Sequence, residues 1–268
     1  MLINGMKLDS ISAYDRGLAY GDGHFTTMAV RDGRVLLWAA HLARLQQAHR
    51  RLGLADMDWT VLSQEVESMV ADQQQCVAKV ILTRGEGGRG YDGTDCLHTT
   101  RIVSLAPFPS HYEQWQRHGI EMVLCHQRIG DAPMLAGLKT LNRLEQVLLK
   151  SELVSRHAVE GIVLNSRGFL TEAVSANLFW RRGNTVFTPA LDRGGVDGIM
   201  RRQVIAMLKQ MSIELRVVEA PLESLWQAQE VWLTNTLMGV VPVNSIEKVC
   251  YSSTELSHRL QERLVIEV

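Results

Sequence analysis

The spacing of apolar positions changes character several times along the chain, and each change predicts an element. Leu2 to Lys7, with Asn4-Gly5 at its centre, predicts a hairpin. Phe25 to Val30 reads as a strand, turned at Asp32-Gly33 and answered by a returning strand from Val35. The period then becomes helical. Leu42, Leu45 and Leu52 share one stripe of a helix over about 40–52, and Val61, Leu62, Val66, Met69 and Val70 do so in a second over roughly 59–74. Strands at Val77–Thr83 and Arg101–Leu105 bracket a glycine-rich loop.

Between Ala106 and Gly119 the periodicity lapses around Pro107, Pro109 and Ser110, the pattern of a connection between domains. Beyond it come a strand near Ile120–Cys125, a helix from about Leu141 to Arg156, and a meander of strands turning at Ser166-Arg167-Gly168 and Gly183-Asn184. An amphipathic helix follows over Ile199–Met211, then a strand at Ile213–Val218, a short helix near Leu222 and a strand at Glu230–Thr234. This pattern predicts an α+β protein with a small N-terminal domain over 1–109, a linker over 110–119 and a larger C-terminal domain over 120–268. There is no internal repeat and no low-complexity tract.

Composition narrows the possibilities. The chain has 268 residues, 46% hydrophobic and 21% charged, which is ordinary for a globular fold and enough for one large core or two modest ones. A formal net charge of -1 gives no global field for nucleic acid or an anionic membrane, so an anion site must be built locally. The N-terminus lacks a basic stretch followed by an apolar core, and no apolar run reaches the roughly 18 residues of a membrane span, so a soluble, cytoplasmic protein is expected. Cys76, Cys96, Cys125 and Cys250 form no C-x-x-C pair and read as buried thiols; the histidines show no metal-ligand spacing.

Candidate chemistry begins at Lys139, which follows the apolar stretch Met134-Leu135-Ala136-Gly137-Leu138 and precedes a helix. A lysine arriving from a strand projects inward, where desolvation lowers its pKa from about 10.4 and makes its amine a nucleophile able to form an imine with an aldehyde. Seen alone, it reads as a solvated surface charge, as most lysines beside a helix start are. Glu172, at a strand end before the tight link Ala173-Val174-Ser175-Ala176-Asn177, is either a turn carboxylate or the partner of a pyridine nitrogen. Gly195-Val196-Asp197-Gly198-Ile199-Met200 opens a helix whose first amides favour a phosphate, with Thr236 and Arg44 as further candidates for that anion.

Taken in order, these segments resemble the fold-type IV pyridoxal-phosphate (PLP) enzymes, the family of branched-chain aminotransferase, D-amino-acid aminotransferase and aminodeoxychorismate lyase. The resemblance spans nearly the whole chain: Asp15-Arg16-Gly17-Leu18-Ala19-Tyr20-Gly21-Asp22-Gly23 with Phe25, His41-x-x-Arg44-Leu45, Lys139, Glu172 with Asn177, Gly198-Ile199, and Thr236 with Pro242. It implies a two-domain fold with the cofactor in the cleft between the domains. It further implies that Lys139 carries the Schiff base, that Glu172 pairs with the pyridine nitrogen, and that Arg44, the amides of Ile199 and Met200, and Thr236 hold the phosphate. Two departures stand out. The aminotransferases have a tyrosine five positions after the lysine, where this chain has Leu144, and commonly a threonine where it has Met200.

Three segments instead resemble the lyase branch: Gly137-Leu138-Lys139-x-x-Asn142-Arg143-Leu144-Glu145-Gln146, Asp22-Gly23-His24-Phe25-Thr26-Thr27, and Thr83-Arg84-Gly85-Glu86-Gly87-Gly88-Arg89-Gly90-Tyr91. That resemblance implies cleavage of 4-amino-4-deoxychorismate to 4-aminobenzoate and pyruvate, a step in folate synthesis. Lys139 would move the proton and Thr27 would relay one to the leaving group; Arg84 and Arg89 can meet the substrate carboxylates. A homodimer is implied as well. The alternatives are an aminotransferase of D-amino or branched-chain substrates, and a noncatalytic PLP-binding relative.

Overall fold

The computed structural model describes residues 1–264, in two compact units. Among the described residues the first comprises Met1–Pro109 together with Lys139–Asn142, and the second takes Ser110–Leu138 and residues 143–264.

In the first unit β1 (Leu2–Ile3), β2 (Met6–Lys7), α1 (Arg16–Tyr20), β3 (Gly23–Arg31), β4 (Arg34–Val35), α2 (Trp38–Leu52), α3 (Trp59–Val70), β5 (Gln75–Thr83) and β6 (Thr100–Ala106) follow one another. The strands form one antiparallel sheet in the order β2-β1-β6-β5-β3-β4, with β3 and β5 paired from Gly23↔Thr83 to Arg31↔Gln75. Alternation along β3 sorts its side chains between faces. Met28 and Val30 join Ala78, Val80 and Leu82 of β5 against Leu45 of α2 and Leu62, Val66 and Val70 of α3. Each fully buried aliphatic chain there contributes about 1.5–3 kcal/mol. Phe25 and Thr27 lie on the opposite face, with Lys79 directly across from Thr27. Glu65 of α3 ties the sheet to its helix by accepting Arg101 Nη2 of β6 at 2.6 Å.

The second unit contains α4 (Tyr112–His118), β7 (Ile120–Leu124), α5 (Leu144–Ser155), β8 (Glu160–Leu164), β9 (Leu170–Ala173), β10 (Asn177–Arg182), β11 (Thr185–Pro189), α6 (Ile199–Gln210), β12 (Glu214–Val218), α7 (Glu223–Trp226), β13 (Glu230–Asn235), β14 (Gly239–Ile246), β15 (Val249–Cys250) and α8 (Glu255–Arg263). Its mixed sheet runs β12-β11-β10-β13-β14-β7-β8-β9, and β15 pairs with β14. β9 passes into β10 through Val174-Ser175-Ala176, closed by the Ala173 N–H donating to the Ala176 carbonyl at 2.8 Å, so the sheet curls back toward its own middle. Both faces are dry. Leu178, Trp180, Val231, Leu233, Val241 and Val243 fill one, while Phe179 and Trp232, stacked at 5.7 Å, meet Val204 and Leu208 of α6 and Leu256 and Leu260 of α8 on the other.

Several expectations are corrected. Residues 110–119 belong to the second unit and contain α4 instead of an open linker, because Tyr112 and Trp115 pack against that unit's core. The helix expected from Leu141 begins at Leu144, since 139–142 is drawn into the first unit. Three cysteines are buried, but Cys250 is exposed on the short β15. α8 was not foreseen. Its start is held by Glu230 of β13, which accepts the Leu256 and Ser257 amides at 3.2 and 2.7 Å. Among the described residues no helix is long and apolar enough to cross a membrane, and no group of three or more His, Cys, Asp or Glu is placed to hold a metal ion.

Candidate functional site

The candidate residues fall into one group in each unit, and the first is organised around β3. Lys139 to Leu141 lie along its start: the Phe25 N–H donates to the Lys139 carbonyl at 2.9 Å, the Leu141 N–H donates to the Gly23 carbonyl at 3.0 Å, and Thr140 bridges His24. This pairing fixes the backbone of the lysine. Its half-buried side chain places Nζ 4.6 Å from the centre of the Phe25 ring. Thr27, also half-buried, lies two residues on along the same face.

A second cation shares that ring. Lys79 Nζ lies 4.9 Å from the Phe25 centroid, and the lysine sits opposite Thr27 in the register. Sequence reasoning missed it because a lysine in an apolar strand reads as the solvent-facing half of an alternation. The signal was there: Lys79 falls in phase with Phe25 and Thr27 once β3 and β5 are paired.

On the other face of β3, Arg44 donates to the Thr26 hydroxyl, which lies 2.6 Å from His41 Nδ1. Arg44 reads from the sequence as off its helix's apolar stripe, yet it is 7% exposed, anchored through Thr26 to the sheet. Burial, reinforced by the positive charge of Arg44, pushes the His41 pKa down to about 3. Burial lowers His24 likewise to about 3, with His49 and Arg44 adding to the effect. Both rings are therefore neutral, and a neutral His41 accepts the Thr26 proton while that hydroxyl accepts from Arg44.

The two loop arginines separate. Arg84 spends its guanidinium on Asp22 Oδ2 at 2.7 Å and on the carbonyls of Gly53 and Leu52 at 2.6 and 2.7 Å. Arg16 approaches the same Asp22 at 2.9 Å and donates to the Gly90 and Tyr91 carbonyls. Together they pin the glycine-rich loop, whose Gly88 has φ +71° and no room for a side chain: a Cβ there falls 2.0 Å from the Asp92 carbonyl oxygen. Arg84 thus clamps the base of the loop through all three of its guanidinium nitrogens. Arg89 is exposed at the tip.

The second group surrounds the start of α6. Glu172 of β9 is buried and accepts the Val196 N–H at 2.9 Å. Asn177 of β10, also buried, donates to the Val196 carbonyl at 2.7 Å. Gly198 caps α6 without any side-chain bond to its first amides, those of Ile199 and Met200. Asp197 turns away to pair with Arg201 at 3.1 Å and Arg202 at 2.8 Å. Thr236 sits in the hairpin between β13 and β14, where Asn235 Oδ1 accepts the Leu237 and Met238 amides at 2.9 and 2.8 Å. Burial lowers the Arg143 pKa, and the charge of Glu172 opposes that shift. Thus Thr27, Arg44, Arg84, Arg89 and Lys139 share the first unit, while Glu172, Ile199, Met200 and Thr236 share the second.

Comparison with known proteins gives consistent matches. The family described as amino-transferase class IV matches residues 23–246. The aminodeoxychorismate lyase of Vibrio harveyi is 36% identical over 98% of this chain and 98% of its own length. The crystal structure of 4-amino-4-deoxychorismate lyase from Pseudomonas aeruginosa matches with a TM-score of 0.94 and 37% identity, covering 98% of this chain and 97% of that one. The branched-chain amino acid aminotransferase of Escherichia coli shares the fold, with a TM-score of 0.86 at 21% identity, covering 97% of this chain and 91% of that one.

Proposed function

The chain belongs to the class IV aminotransferase family, and we propose that within it the protein is a PLP-dependent carbon–oxygen lyase that converts 4-amino-4-deoxychorismate to 4-aminobenzoate and pyruvate. The observation that carries this reading is the 36% identity with the lyase of Vibrio harveyi, which extends over 98% of both chains, joined to an amine, Lys139, held beside Phe25. The residues suit the cofactor in chemistry. They offer a lysine for its aldehyde, a buried carboxylate for its ring nitrogen, and α6 amides that no side chain caps for its phosphate.

When bound, PLP supplies an aldehyde that takes up an amine and a ring that draws electron density from the reacting carbon. The protein's own residues do the rest. Glu172 keeps the ring nitrogen protonated, and Arg44, the Ile199 and Met200 amides and Thr236 hold the phosphate. Lys139 removes the proton from the amine-bearing ring carbon of the substrate. As the ether carbon–oxygen bond breaks, Thr27 relays the proton taken up by Lys139 to the departing enolpyruvyl oxygen, and loss of that group leaves the product ring aromatic. Lys79 and Arg89 are the cations for the two substrate carboxylates.

We also infer a cytoplasmic homodimer acting on a small molecule, with no nucleic-acid or membrane partner. The exposed stripe Leu144, Val147, Leu148 and Val154 on α5 supports a second copy as its cover.

The test is to supply aminodeoxychorismate to the PLP-loaded protein and measure 4-aminobenzoate and pyruvate, with amino transfer to 2-oxoglutarate assayed beside it. Release of both products with little transfer supports the lyase; the reverse favours an aminotransferase. Lys139→Ala should abolish turnover, and borohydride should trap the cofactor on Lys139 in the parent protein. Turnover near that of the parent in Lys139→Ala would sink the assignment.

A further inference from the structure

Both backbone groups of Val196 are taken, and by different strands. Its N–H donates to Glu172 Oε2 of β9 at 2.9 Å, and its carbonyl accepts Asn177 Nδ2 of β10 at 2.7 Å. Its neighbours are strapped as well: the Gly137 N–H donates to the Gly195 carbonyl at 3.0 Å, and the Asp197 N–H donates to the Gly137 carbonyl at 3.1 Å. One short loop therefore links the carboxylate, the start of α6 and the segment that leads into Lys139.

Asn177 touches this loop twice. A Cβ built on Gly198 falls 2.1 Å from Asn177 Oδ1, whereas the Gly198 backbone, at φ -65° and ψ 142°, suits any residue. The glycine is needed because the asparagine side chain occupies that space. With Asn177 truncated, the next neighbour of that Cβ is Arg201 Cβ at 3.7 Å, an ordinary contact.

We propose that Asn177 is a positioning residue: by holding the Val196 carbonyl and seating against Gly198, it keeps the Val196 amide on Glu172 and fixes how that carboxylate meets a cofactor ring nitrogen. This rests on the reading of Glu172 given above. The Val196 N–H donates to a carboxylate oxygen in a buried setting, the kind of hydrogen bond whose loss is felt most. Loss of Asn177 frees the loop to move, which weakens the Val196 donor to Glu172 and shifts the register of the α6 amides.

The experiment titrates apo-protein with PLP for the parent, Asn177→Ala, Gly198→Ala and the double variant, and follows thermal unfolding of the same apo-proteins. Asn177→Ala should bind PLP about tenfold more weakly, as expected for one lost hydrogen bond to a charged group. The pH midpoint of the bound cofactor's visible absorbance should also rise, because a less firmly protonated ring withdraws less charge. Gly198→Ala should show a comparable loss, and the double variant should bind no worse than Asn177→Ala, since the clash disappears with the side chain. Losses that add in the double variant, or parent-like affinity and pH midpoint in Asn177→Ala, overturn the proposal. Asn177→Ser serves in the same cycle should the alanine variant fail to fold. If the parent takes up no PLP, the proposed function fails instead. The apo-protein melting temperatures then still decide the clamp, non-additive losses sustaining it and additive ones refuting it.

Discussion

Phe25 holds Lys139 at both ends, its amide donating to the lysine carbonyl at 2.9 Å and its ring lying 4.6 Å from the lysine Nζ. The backbone bond sets where the residue stands, and the ring lies beside its Nζ on one face of the sheet. Phe25→Leu keeps the backbone bond and removes the ring. A half-buried cation–π contact is worth about 1 kcal/mol, so turnover should fall roughly fivefold to tenfold with the fold intact, as checked by steady-state rates beside circular dichroism.

Lys79 shares that ring and stands across from Thr27. If it meets a substrate carboxylate, Lys79→Met should raise KM by about tenfold or more, the loss of one charge-assisted contact, while PLP affinity stays unchanged. Unchanged KM would remove Lys79 from the substrate site.

The two loop arginines should behave oppositely. Arg84 is bonded to Asp22, Leu52 and Gly53, so Arg84→Gln should lower the melting temperature by several degrees, consistent with losing about 1–3 kcal/mol of partly buried charged hydrogen bonds. Arg89 is exposed, and Arg89→Gln should leave the melting temperature in place and raise KM.

Acid should weaken the first unit through His24 and His41, each held at about 3 against an unfolded value of 6.5. The unfolded chain binds protons that the folded chain refuses, so this contribution is complete above about pH 6.5 and is lost as pH falls toward 3. At pH 5 each histidine should cost roughly 2 kcal/mol relative to pH 7. Urea unfolding of the parent and of His24→Leu at both pH values checks this; an equal pH slope in the two proteins would rule it out.

What the sequence disclosed and what it hid follow a physical division. α2, α3 and α6 were legible because their buried residues recur at helical spacing and need only their own side chains to declare a face. α4 was hidden because aromatic Tyr112 and Trp115, set among polar residues, bury too little to register as a period. α8 was hidden for a different reason: the carboxylate that starts it, Glu230, belongs to a strand far back in the chain. The site divides in the same way. Lys139, Glu172 and the α6 start stood out through local pattern and resemblance, whereas Lys79 and the commitment of Arg84 depend on strand register and on carbonyls brought in from elsewhere.

The strip from Lys139 to Asn142 completes the sheet edge at Gly23–Phe25, although it is encoded well beyond Pro109, where the first unit otherwise ends. A ribosome that has just released the N-terminal portion has therefore made a sheet with an open seam. That seam is sealed only when Lys139 itself emerges, so a fragment ending at Pro109 would lack the piece of backbone that pairs with Gly23–Phe25.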